Sequence, residues 1–161
     1  MMASTVGRHV AANKWKALEN AMKHEFWERM HGGVTHFPLT LLVVSFGFDF
    51  IAFWWRGEAR RREFQAAGFY SLLIAAAAAP FAVLSGLFLS HGEMLGQGSL
   101  RMHHLFIWPS FGLLTGLAVW RLVVRDRASR SWCKGYLVAA GIAAAAMLAG
   151  GYWGGEVVMG N

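Results

Sequence analysis

Cysteine is almost absent from this chain of 161 residues. A single one, Cys133, excludes an internal disulfide framework and any cysteine-based zinc site. Without a CxxCH motif, covalent c-type haem attachment within the chain is ruled out as well. Charge is also scarce: 15% of residues are charged against 56% hydrophobic, too apolar a balance for an ordinary soluble domain of this size. No Ser–His–Asp arrangement, P-loop or dinucleotide fingerprint occurs, so hydrolase and NTPase readings have no support. A Glu-x-x-His repeat on two helices is missing, which removes a carboxylate-bridged di-iron site. Residues 1–33 lack the apolar core of a cleavable signal peptide.

What the chain does have is four stretches long enough to cross a hydrocarbon layer, which takes about 20 apolar residues per helix. They run from about Val34 to Trp55, Ala66 to Leu89, Leu105 to Val124 and Tyr136 to Trp153. The expected fold is an all-α, integral membrane four-helix bundle over 34–161. Ahead of it lies an N-terminal amphipathic helix within 1–33. In that helix Trp15, Leu18, Met22, Phe26 and Met30 recur at steps of three and four, with Lys16, Glu19, Asn20 and Lys23 between them. Such a helix suits the membrane interface or a partner subunit. Gly32-Gly33 is expected to break it, which puts Pro38 in the first turn of the first crossing, where a missing N–H costs nothing. Pro80, inside the second crossing, is a kink candidate.

The net charge of +6 does not signal nucleic acid, because the basic residues gather in short loops beside apolar segments. Loops 56–63 and 121–134 hold nine of them: Arg56, Arg60, Arg61, Arg62, Arg121, Arg125, Arg127, Arg130 and Lys134. Six lie on the other side, five in the N-terminal tail together with Arg101. The positive-inside rule then places the basic loops in the cytoplasm and both termini in the periplasm of a bacterial inner membrane. Asp49, near the cytoplasmic end of the first crossing, is expected either to pair with an arginine of those loops or to serve a proton path, a paired or snorkelling residue near the interface being the commoner case.

Alternating crossings bring the start of the first, the end of the second, the start of the third and the end of the fourth to one surface. His31, His36, His91, Glu93, His103, His104 and Glu156 therefore share a membrane level. Ionisable groups at membrane depth are costly unless they face a bundle interior, a cavity or a ligand. Histidines on facing helices are how a bundle holds haem b, each imidazole supplying an axial nitrogen. Small residues at Ser85-Gly86, Gly112-x-x-x-Gly116 and Gly150-Gly151-x-x-Gly154-Gly155 would leave room for a macrocycle, although such patterns more commonly pack helices together. His103 and His104 point about 100° apart on a helix, so at most one of them faces a given ligand. Met30, Met94, Met102 and Met159 beside these imidazoles also form a mixture that suits Cu(I).

Four short motifs carry a resemblance to a known family. They are His36-Phe-Pro, Ser85-Gly86-Leu87, Arg101-Met-His-His104 and the closing Gly151-Tyr-Trp-Gly-Gly-Glu-Val-Val-Met-Gly160. Over about residues 31–160 the chain resembles bacterial four-helix proteins described only as predicted membrane proteins. Such domains are often joined to, or encoded beside, c-type cytochromes, which implies an electron-transfer or anchoring role by analogy. By position the resemblance favours His36 and His104. The family pattern tends to have a Thr-Gly pair and a later Asp where this chain has Ser85-Gly86 and then His91, so it gives no role to His91.

The expected function is a membrane subunit that binds haem b near the periplasmic face and passes electrons between quinol and a cytochrome c or similar redox protein. His36 and His104 would be axial ligands, His91 and His103 alternates, and Glu156 a proton acceptor or hydrogen-bond partner of a ligand imidazole. Two alternatives stay open. One is a cofactor-free structural subunit of a larger membrane assembly, and the other a periplasmic-side copper protein.

Overall fold

The computed structural model describes the backbone of residues 3–124 and 130–160, and the side chains of 13–23, 25–124 and 133–160. Part of the second basic loop, residues 125–129, and the side chains of His9 and His24 lie outside the described residues. Four helices make up the fold: α1 (Ala3–Trp54), α2 (Glu58–Leu89), α3 (Gly98–Val124) and α4 (Arg130–Met159). All four are long and apolar enough to cross a membrane. The protein is an all-α, membrane-spanning four-helix bundle.

The expected break at Gly32-Gly33 is not there. Helix α1 runs uninterrupted for 52 residues, and Pro38 lies in its interior instead of its first turn. Two glycines cost a helix about 1 kcal/mol each relative to alanine, a local penalty that tertiary contacts on both sides override. Before them, Trp27 stacks on Phe88 of α2 at 5.2 Å and His31 meets Ser85. After them, Pro38, Leu42, Ser45, Asp49 and Ala52 form a buried stripe at steps of three and four. At 1.5 Å per residue α1 is about 78 Å long, far more than the roughly 30 Å of a hydrocarbon core. Its N-terminal part therefore projects past the bundle, with Trp15, Leu18, Met22, Phe26 and Met30 exposed along it. Ion pairs Lys23–Glu19 and Arg29–Glu25 brace that projecting part.

Large side chains point outward and small ones inward, the arrangement that suits helices packed in lipid. Phe50, Tyr70, Phe81, Phe88, Val123 and Leu148 are exposed. The core is built from Ala75, Ala79, Ala140, Ala143 and Ala144 around Leu42, Leu72 and Leu114. Helix α1 packs chiefly along α2, and α3 chiefly along α4. The molecule is thus two antiparallel hairpins that meet along a seam.

The α2–α3 turn is tight and polar. His91, Gly92, Gly96 and Gly98 all take positive φ, 53°, 84°, 58° and 56°, and His91 is the non-glycine among them. Trp108 pins the turn to α3 by donating its indole N–H to the Met94 carbonyl at 2.8 Å.

Candidate functional site

Three imidazoles meet at the end of the bundle that carries this turn. His31 comes from α1, and His103 and His104 from the first turns of α3. The ring centroids of His31 and His103 are 6.5 Å apart with planes at 76°, and those of His103 and His104 are 5.5 Å apart. The first pair faces across the seam, one ring from each hairpin.

Each ring of that pair is held by the other helix of its own hairpin. Ser85 on α2 donates its hydroxyl proton to the Ala82 carbonyl at 2.8 Å, and His31 Nδ1 lies 2.9 Å from the Ser85 oxygen. With its only proton spent, that oxygen accepts, so Nδ1 of His31 carries the hydrogen. On the far side His103 Nδ1 sits 2.7 Å from the Gly150 carbonyl of α4. A carbonyl can only accept, so Nδ1 carries the hydrogen there too. Both neutral rings are thereby fixed in the tautomer that leaves the Nε2 lone pair for a ligand, the role an Nδ1 hydrogen bond plays behind metal-bound histidines.

Glycines make this placement possible. A Cβ on Gly86 would stand 2.9 Å from Cε1 of His31, and one on Gly154 would stand 2.9 Å from Nδ1 of His103. Any side chain at either position would push its ring out of place. The small-residue patterns of α2 and α4 therefore seat imidazoles as well as pack helices.

His104 is different. It is only 7% exposed, and its Nδ1 is buried with no hydrogen-bond partner among the described residues. Its ring lies 6.2 Å from Trp108, whose own N–H is engaged by Met94. Leaving such an atom unsatisfied costs about 1–3 kcal/mol.

The other expected site residues stand apart. His36 is exposed on α1, five residues and about 140° round the helix from His31. His91 is exposed in the turn. Glu156 is half-buried near the end of α4, with no hydrogen bond described between it and the three rings. Met30, Met94 and Met159 are exposed. Among the described residues no group of three or more His, Cys, Asp or Glu side chains is arranged to hold a metal ion. The donor set on offer is the His31–His103 pair. In the structure His31 continues the buried stripe of α1, seven residues back from Pro38.

A second polar cluster closes the opposite end. Asp49 of α1 forms an ion pair with Arg121 of α3 and accepts a hydrogen bond from the Tyr136 hydroxyl of α4 at 2.8 Å. Arg121 also donates to the Gln65 carbonyl of α2 at 2.8 Å, and its guanidinium lies over the Phe69 and Tyr136 rings. Ser45 donates to the Gly68 carbonyl at 2.8 Å, and Gly68 leaves space for the Asp49 carboxylate. Asp49 thus has the arginine partner expected of it. The cluster draws on all four helices and clasps them together.

No curated protein and no solved structure matches the chain. A family does: residues 28–161, from just ahead of His31 through all four crossings, match the family described as Predicted membrane protein (DUF2231), and the chain belongs to it.

Proposed function

We propose that this protein is a membrane-embedded electron-transfer subunit that holds haem b between His31 and His103. One observation carries the reading: two imidazoles from different hairpins meet across the seam, each with its Nδ1 hydrogen-bonded to the other helix of its own hairpin. The two ring centroids lie 6.5 Å apart with planes at 76°. Gly86 on α2 lies against the His31 ring and Gly154 on α4 against the His103 ring. These two imidazoles are the donors that would hold the iron.

Haem b, when bound, supplies a one-electron iron couple. The chain's own part is to bind and orient. Ser85 and the Gly150 carbonyl hold the two rings in one tautomer. The charge distribution of the loops supports a periplasmic position for this end, where electrons would pass between quinol and a cytochrome c or similar soluble redox partner. His31 and His103 replace His36 and His104 as the pair we assign to the iron.

A Soret band in the purified protein that shifts on dithionite reduction tests this. It should be lost in His31→Ala and in His103→Ala and kept in His36→Ala, whose side chain is exposed. A colourless protein that carries stoichiometric copper would give the pair to copper instead. The exposed apolar stripe on the projecting part of α1 favours a second reading, a cofactor-free structural subunit docked on a larger membrane complex. A colourless, metal-free protein that co-purifies with such a complex would establish it.

A further inference from the structure

We infer that a second copy of this chain covers the apolar stripe on the projecting part of α1, the two helices running parallel and level as a pair. At about 100° per residue, Trp15, Leu18, Met22, Phe26 and Met30 fall within about 60° of one line along α1, and all five are exposed. The residues that α1 buries in the bundle, Pro38, Leu42, Ser45 and Asp49, lie about 150° round from that line. The stripe therefore faces away from the other three helices. Lipid does not reach all of it either. Trp15 stands about 28 Å along the axis from Val34, where the first crossing begins, and so lies well outside the hydrocarbon. An exposed apolar patch rimmed by charge marks a protein contact.

The rim fits a second copy of the same helix. Lys23 stands about 80° to one side of the line and Glu25 about 80° to the other, about 3 Å apart in height. Both are well exposed. The charge rule that orients one copy in the membrane orients the next the same way, so two neighbouring α1 helices are parallel. A two-fold axis between them then brings each Lys23 against the opposite Glu25, and the contact is made twice. Within the chain Lys23 already pairs with Glu19, and Arg29 with Glu25. The dimer joins these pairs into one network of alternating sign on each side of the stripe. Further down α1, His36 and Thr40 lie on the same side and are exposed at membrane depth. Polar groups there are satisfied by a neighbouring helix, which lipid cannot replace. The inference is independent of what His31 and His103 hold.

The test places a photo-crosslinking side chain at Met22, as Met22→p-benzoylphenylalanine, in the full chain and irradiates cell membranes. The expected product is a covalent species of twice the mass of the chain. The same probe at Ala21, about 100° round the helix, should give little of it. In detergent, Lys23→Glu should weaken dimerisation about ten-fold, and adding Glu25→Lys should bring it back to within about three-fold of the parent. Circular dichroism should show the same helicity in all of these variants, because both positions are exposed on the projecting part. A cross-link to a protein of another mass gives the stripe to a different subunit and overturns the inference. Cross-links to lipid alone, the absence of the double-mass species, an equal yield from Ala21, or no rescue by Glu25→Lys overturn it as well.

Discussion

At the scale of single residues, the site depends on what two glycines leave out. Alanine is the better helix former by about 1 kcal/mol, so a glycine in a helix with open space beside it gains from substitution. Gly155 is such a case, with nothing within 4 Å of an added Cβ, whereas at Gly154, one residue earlier, the same Cβ would meet the His103 ring at 2.9 Å. Gly155→Ala should hold or raise the thermal midpoint in detergent. Gly154→Ala should lower stability by about 1–3 kcal/mol, the usual cost of overpacking. If the two variants melted alike, the ring would not be seated where we describe it. His103 and His104 were legible in the sequence at this scale, because a pair of histidines opening an apolar segment is conspicuous. The choice between His31 and His36 was not. It turns on the phase of α1 about its axis, and that phase depends on whether the helix continues through Gly32-Gly33.

At the scale of the helices, the four crossings could be read from hydropathy, since about 20 apolar residues between polar loops leave one solution in lipid. Local propensity misled at a single point. A glycine pair is a strong stop signal by itself, but Trp27 stacked on Phe88 and His31 on Ser85 hold the chain helical through it. Neither contact is visible before α2 is laid beside α1. Gly32 and Gly33 each have open space where a Cβ would sit. Gly32→Ala and Gly33→Ala should therefore each add up to about 1 kcal/mol to stability and increase helicity by circular dichroism. A loss of helicity in these variants would mean that the pair serves as a hinge and α1 is two helices.

At the scale of the whole molecule, two hairpins have to be kept in register along a seam lined mostly by alanine and leucine. Apolar packing between helices is weakly directional in a membrane, where lipid is as apolar as the side chains. Register at the end opposite the histidines comes from Asp49, Arg121, Tyr136 and Gln65, one group from each helix. Asp49 and Arg121 were both visible in the sequence, but their pairing needed the first and third crossings to be neighbours at the same depth. The ion pair is largely buried, with side chains 6% and 12% exposed. Removing one partner strands the other charge, at about 3–5 kcal/mol, whereas replacing both with apolar groups of similar size is often close to neutral. Arg121→Met and Asp49→Leu should each destabilise the protein by about that amount in denaturant titrations. The double variant should recover much of the loss, because no stranded charge remains. It should still fall short of the parent, since Tyr136 and the Gln65 carbonyl lose their partners. Additive losses in the double variant would instead mean that each residue stabilises its own hairpin and that the seam is held by something else.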